Sequence, residues 1–188
     1  MAVDTSQFRN GLKIELDGEP FVMTYFQHVK PGKGSAFVRT KVKNLKSGRV
    51  LDRTFRSGEK VDEADVEEKT MQYLYADGDS LIFMDNQTYD QIPFSREQVG
   101  DGIQFLKENL EVQVVFWRGQ PITLDLPQFI EAVITQTDPG MKGDTASGAT
   151  KPATLETGAT VNVPLFLKEG ETVRVDTRSG EYIERVNA

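Results

Sequence analysis

Across most of this chain, hydrophobic residues alternate with polar ones instead of recurring at helical spacing. Between residues 36 and 43, Ala36, Val38, Thr40 and Val42 fall on one face and Phe37, Arg39, Lys41 and Lys43 on the other. This is the period of a strand with one side on a core and the other in water. Residues 21–26 are similarly rich in β-branched and aromatic side chains. Asp17-Gly18 reads as a short hairpin turn, because both central positions of such a turn take positive φ. Ser47-Gly48 serves the same purpose before Arg49-Val-Leu. Short strands joined by tight turns predict a small SH3-like barrel over residues 1–64.

Strand patterns resume after an acidic, weakly apolar stretch from Glu59 to Lys69 that marks a domain boundary. They occupy residues 71–75 and 81–84 around Asp77-Gly78, then 112–117 and 122–126 around Arg118-Gly119-Gln120-Pro121. Ile103, Phe105, Leu106 and Leu110 stand near helical spacing and predict one short helix over 102–110. Strands with one interposed helix suit a five-stranded oligonucleotide-binding (OB) barrel over 65–128. In residues 129–188, strand patterns at 129–134, 160–163, 171–175 and 181–186 flank a Gly/Ala/Thr/Ser-rich stretch from Gly140 to Thr150, and predict a second barrel of that kind. The expected fold is therefore all-β, three small barrels in succession. No strict sequence repeat links the second and third, only a shared cadence of strand and turn.

Composition narrows the chemistry. The 188 residues include one histidine and no cysteine. Disulfides, thiol nucleophiles and thiolate metal sites are excluded, as is any multi-histidine metal centre. The absence of cysteine fits a reducing, cytoplasmic setting. No long apolar run and no signal-like start point to export or to a membrane. The net charge of -7 hides an uneven distribution. Residues 1–64 carry 12 basic and 8 acidic side chains, residues 65–128 carry 4 and 12, and residues 129–188 carry 6 and 9. Within 30–60 the count is 10 basic against 2 acidic. One end of the molecule suits a polyanion.

Pro31-Gly32-Lys33-Gly34 is the most informative short segment. It reads first as a plain turn, with Pro setting φ and glycines taking positive values. A sharper, secondary reading is a presented cation, because Lys33 between two glycines has no neighbouring side chains to engage its ammonium. A phosphate-binding loop is excluded: Lys33 precedes Gly34, and Ala149 and Thr150 follow Gly143 and Gly148 where Lys and Ser/Thr are required. His28 reads as a partly exposed histidine with no serine or carboxylate beside it in sequence, and the carboxylates of the middle third follow turns and solvated faces. No catalytic or metal-ligating set emerges, and no cofactor is expected. Trp117 and Tyr182 lie in strand patterns as barrel aromatics. The basic stripe of Arg39, Lys41 and Lys43, with Lys46, Arg49, Arg53 and Arg56, is an ordinary solvated face or an RNA contact. The charge imbalance puts the two readings on an equal footing.

Taken together, several segments resemble one family, bacterial elongation factor P. They are Phe8-Arg-Asn-Gly-Leu-Lys-Ile, Val29-Lys-Pro-Gly-Lys-Gly-Ser-Ala-Phe37, Tyr73-Leu-Tyr-Ala-Asp-Gly-Asp79 and Trp117-Arg-Gly-Gln-Pro-Ile122. Thr137-Asp-Pro-Gly-Met-Lys-Gly-Asp-Thr145, Lys151-Pro-Ala-Thr-Leu-Glu-Thr-Gly158 and Val175-Asp-Thr-Arg-Ser-Gly-Glu-Tyr182 complete the set. The resemblance covers essentially the whole chain. It implies an L-shaped, tRNA-like monomer that binds both ribosomal subunits between the peptidyl-tRNA and exit sites. It implies a factor that is not itself an enzyme and that promotes peptide-bond formation at consecutive prolines. Lys33 would be lengthened after translation by a separate modifying enzyme. Pro31, Gly32 and Gly34 would support that tip. Arg39, Lys41, Lys43, Arg53 and Arg56 would hold peptidyl-tRNA phosphates, and Gly143, Asp144 and Thr145 would approach mRNA in the exit site. The alternative is a general single-stranded RNA-binding module built on the two OB barrels, a reading their acidity opposes.

Overall fold

A computed structural model describes residues 1–140 and 148–187. Among the described residues the chain is mostly strand, and it divides into two compact units, residues 1–69 with 114–123, and residues 70–113 with 124–188. Its strands form three antiparallel sheets that follow one another in sequence.

The first sheet contains β1 (Ala2–Asp4), β2 (Lys13–Leu16), β3 (Glu19–Val29), β4 (Phe37–Asn44), β5 (Val50–Arg56) and β6 (Lys60–Glu63), in the order β1-β6-β2-β3-β4-β5. Its core gathers Phe8, Leu12, Ile14, Phe21, Met23, Val38, Val42 and Phe55, with Phe8 and Phe55 edge to face at 5.2 Å. The expected alternation on β4 is realised: Val38, Thr40, Val42 and Asn44 are buried, and Arg39, Lys41 and Lys43 are exposed. Asp17 and Gly18 both take positive φ, 53° and 77°, which turns β2 into β3 in register. The acidic stretch after Glu59 is ordered as β6 and the start of the next strand, and Ala64 between them is buried.

The second sheet contains β7 (Val66–Asp77), β8 (Ser80–Asp85), β9 (Gln91–Ser95), β10 (Glu111–Trp117) and β11 (Gln120–Asp125), in the order β11-β10-β7-β8-β9. The third contains β12 (Phe129–Thr137), β13 (Thr150–Leu155), β14 (Thr160–Pro164), β15 (Thr172–Asp176) and β16 (Tyr182–Arg185), in the order β14-β13-β12-β15-β16. The two orders are the same topology. In each, the first strand is central, the second and third extend one flank, and the fourth and fifth extend the other. Both central strands are long and bulged, β7 between Tyr73 and Tyr75 and β12 between Ile134 and Gln136. A bulge bends a strand and raises its twist, so one strand can serve two flanks of a curled sheet. In the third sheet β14 and β16, at opposite edges, come into contact.

The expected helix lies elsewhere. The structure places α1 at Arg96–Val99, continued by a 3-10 turn over Gly100–Phe105, while Leu106 is already extended. The helix begins where it is capped: Ser95 accepts from the Gln98 backbone, and the Gln98 side chain accepts from the Ser95 N–H. It cannot run to residue 110, because Gly100 at φ 70° and Asn109 at φ 70° sit in the left-handed region. The apolar spacing of Phe105 and Leu110 instead reflects packing against the core of the third sheet. The strand patterns do not predict β1, β6, β9 or β13, and β13 shows why. Its Lys151, Ala153 and Leu155 point inward in strict alternation, but Pro152 and the flanking small residues masked the pattern.

Candidate functional site

The long hairpin of β3 and β4 carries the lysine loop. β3 is bulged between Met23 and Tyr25. Before the bulge it buries Phe21 and Met23; beyond it, Tyr25, Gln27 and His28 are exposed, with Phe26 and Val29 only half-buried. Beyond the bulge β3 thus buries no side chain fully, although Phe26 packs against the core and Val38, opposite His28 on β4, belongs to it. The last paired residues are Val29 and Phe37, leaving 30–36 as the loop. Pro31 is half-buried, and Gly32, Lys33, Gly34 and Ser35 are exposed. Gly34 takes φ 99°, a region where a side chain is strained, whereas a Cβ at Gly32 would meet nothing within 4 Å. The two glycines therefore differ: one sets the backbone, the other leaves space. Among the described residues, no hydrogen bond or ion pair engages the Lys33 ammonium.

Cross-strand register sorts the basic residues. Residues directly opposite each other on antiparallel strands share a face. Val29, Phe37 and Arg56 form one row, Gln27, Arg39 and Thr54 the next, and Tyr25, Lys41 and Asp52 the third. Arg39, Lys41, Lys43 and Arg56 thus share the outer face, and the Arg39 guanidinium lies 5.4 Å from the Phe37 ring centre. Arg53 does not belong with them. It pairs opposite buried Thr40, whose hydroxyl donates to the Arg53 carbonyl at 2.8 Å. Its guanidinium donates to Asp17 Oδ2 at 3.3 Å, and with Phe55 it lines a hollow of about 270 Å³ between β5 and β1, β2 and β6. The parity was readable beforehand, since Phe55 must face the core and Arg53 lies two residues away.

His28 stands opposite Val38 with its ring 6.0 Å from that of Phe26, and neither contact is a catalytic one. Among the described residues, no group of three His, Asp or Glu side chains is placed to hold a metal ion, and no helix is long and apolar enough to cross a membrane. Gly143, Asp144 and Thr145 lie outside the described residues. On either side of that segment, buried Lys151 donates its ammonium to the Asp138 carbonyl.

Sequence reading missed a cluster whose members are a hundred residues apart. In the unit formed by 1–69 and 114–123, the turn between β10 and β11 places Arg118 and Gly119 at φ 52° and 76°. Arg118 donates from Nε to Glu15 Oε1 at 3.2 Å and from Nη2 to Oε2 at 2.9 Å, while Trp117 Nε1 donates to Oε1 at 3.2 Å. Lys46 Nζ and Arg118 Cζ each lie 4.6 Å from the Trp117 ring centre. The Arg118 guanidinium, aided by the Trp117 indole, holds the Glu15 carboxyl below its ordinary value against the opposing effect of partial burial. The folded state therefore gains from this group above the unfolded value of about 4.3, and loses that gain as pH falls through the lowered folded pKa. In the Arg118→Ala variant the Glu15 pKa is expected to rise towards its ordinary value in a carboxyl NMR titration. Stability should also depend less steeply on pH in the acid range. An unchanged Glu15 titration would contradict the assigned pairing.

Three family models match successive parts of the chain: Elongation factor P (EF-P) KOW-like domain at residues 4–61, Elongation factor P (EF-P) OB domain at 66–124, and Elongation factor P, C-terminal at 127–185. Curated relatives match at full length. The sequence is 54% identical over 184 residues to elongation factor P of Natranaerobius thermophilus, covering 98% of each chain. It is 54% identical over 183 residues to that of Moorella thermoacetica, covering 97% of this chain and 99% of the relative. With the Rhodococcus opacus protein it shares 54% identity over 184 residues, 98% of each. Among solved structures it is similar in fold to eukaryotic translation initiation factor 5A from Methanococcus jannaschii, with a TM-score of 0.54 at 23% identity over 68% of this chain and 94% of that one.

Proposed function

This chain belongs to the elongation factor P family and is a ribosome-associated translation elongation factor, and we propose that it assists peptide-bond formation between consecutive prolines by positioning peptidyl-tRNA with Lys33. One observation carries the reading. Lys33 is exposed in the loop that ends the β3–β4 hairpin, with no described partner for its ammonium, and the outer face of that sheet bears Arg39, Lys41, Lys43 and Arg56.

Proline is a stiff, secondary-amine participant, so a peptidyl-tRNA ending in proline sits off the attack geometry. Restoring that geometry supplies several kcal/mol of a bond-forming barrier without acid or base chemistry from the factor. A cation on a four-carbon stem, extended by a modifying enzyme, lies along the acceptor end of the tRNA and restrains it. The outer face of β4 holds the tRNA phosphates. In this reading the chain works as a cytoplasmic monomer in three domains, 1–64, 65–128 and 129–188, lodged between the peptidyl-tRNA and exit sites. It touches both subunits, and Gly143, Asp144 and Thr145 turn towards mRNA. The working catalyst belongs to the ribosome.

The test is a reconstituted translation reaction reading a run of prolines. Adding the protein should shorten the pause at the proline codons and leave a proline-free control unchanged. Equal pausing with and without it would overturn the proposal.

A further inference from the structure

The outer face of the first sheet holds more than charge. Tyr25, Lys41 and Asp52 stand in one row across β3, β4 and β5, and Arg39 and Thr54 in the row nearer the loop. These five residues, together with Thr40 and Arg53 of the intervening row, line a hollow of about 260 Å³, smaller than the ~300–1,000 Å³ of sites for drug-sized ligands. Tyr25 is 44% exposed, and its hydroxyl donates to Gln27 Oε1 at 3.1 Å, which holds the ring at the edge of the hollow. Tyr75, Tyr89 and Phe166 are more exposed still; what sets Tyr25 apart is that it stands among cations in the most basic part of the chain.

Resting on the RNA-facing role proposed above for this face, we infer that the hollow receives one unpaired nucleobase of a bound RNA, stacked against Tyr25. The nucleotide's two chemistries separate across the site. The base lies against Tyr25, where the Asp52 carboxylate accepts from its N–H edge and repels phosphate. The phosphate lies towards Arg39 and Lys41. Rows along β4 are about 7 Å apart, so the backbone leaving the hollow passes Arg39 and then Arg56 on its way to the Lys33 loop. Phosphate contacts alone are indifferent to base pairing, whereas an aromatic platform demands a base free of its own stack.

The experiment uses the full-length protein with two probes: a 12-nucleotide single-stranded RNA and a blunt RNA duplex of the same composition, each titrated over a salt series. Wild type should prefer the single strand. Tyr25→Ala should lower single-strand affinity roughly 5- to 100-fold, the range of a lost base–aromatic stack, with the salt slope and the duplex affinity unchanged. Tyr25→Trp should retain single-strand binding and show quenched emission on binding. Lys41→Ala should reduce the salt slope by about one on both probes. Because Tyr25 is surface-exposed, each variant should melt with wild type. If Lys41→Ala acts and Tyr25→Ala does not, the base site is wrong while the phosphate-binding face stands. If neither variant matters, or wild type binds neither RNA, both readings fall.

Discussion

In the Lys33→Ala variant, thermal stability stays at the wild-type value while stimulation of synthesis through consecutive prolines falls to the factor-free level. The two halves of this expectation have separate causes. Lys33 is exposed in a loop that follows the last cross-strand pair, Val29 with Phe37. No described residue hydrogen-bonds or ion-pairs with its ammonium. Its removal leaves no cavity and no unpaired group, so the stability change should stay within about 0.5 kcal/mol. In the proposed reading activity depends on what the ammonium reaches outside the protein, and a misplacement of about 1 Å at a reacting centre can cost about 100-fold in rate. Lys33→Arg sharpens the point. It keeps the positive charge but replaces a slim primary amine with a planar fork, and it removes the amine that the proposed modifying enzyme would extend. Its stimulation should also fall well below wild type. Full activity in either variant, measured as pause length at the proline codons, would remove Lys33 from the account.

The second large effect separates the two faces of the first sheet. Reversing Arg39 and Lys41 together to glutamate should weaken association with ribosomes by about tenfold or more and flatten its salt dependence by about two phosphate contacts. Arg53→Ala should leave both quantities near wild type. The register places Arg39 and Lys41 outward with Lys43 and Arg56, and Arg53 on the opposite face, where it pairs with Asp17. An exposed pair of that kind contributes little to stability, so Arg53→Ala is also expected to fold normally. Equal losses from the two variants would show that the field of the domain as a whole matters and the face does not.

Local patterns carried much of this structure in the sequence. Alternation from 36 to 43 put the correct side chains of β4 inward, because a residue's side in a strand follows from parity alone. Asp17-Gly18 and Arg118-Gly119 located two hairpins, because few residue pairs tolerate positive φ at both centres. The helix starts earlier than apolar spacing predicts, because the capping box at Ser95 and not that spacing sets its N-terminus. Ser95 and Gln98 marked its start, but Phe105 and Leu110 imitate a helical period while packing into the third sheet. β13 was hidden by Pro152, which is exposed and pairs opposite Asn162.

At the site, the loop and the basic stripe were legible, since both are contiguous in sequence. Three things were not. The side on which Arg53 lies was obscured by counting charges without their parity. The place of Tyr25 opposite Lys41 depends on the bulge in β3, which sets the register. The fork from Arg118 to Glu15 joins residues that only the tertiary fold brings together. The matching topology of the second and third sheets was likewise invisible as sequence repetition, because strand order is fixed by which edges pair and not by the identity of outward-facing side chains.

The most direct test of the central claim is a photo-crosslink from position 33. A photoreactive lysine analogue there, on ribosomes halted at consecutive prolines, should join the protein to the 3′-terminal nucleotides of the peptidyl-tRNA. Adducts confined to ribosomal protein or to RNA other than that tRNA would contradict it.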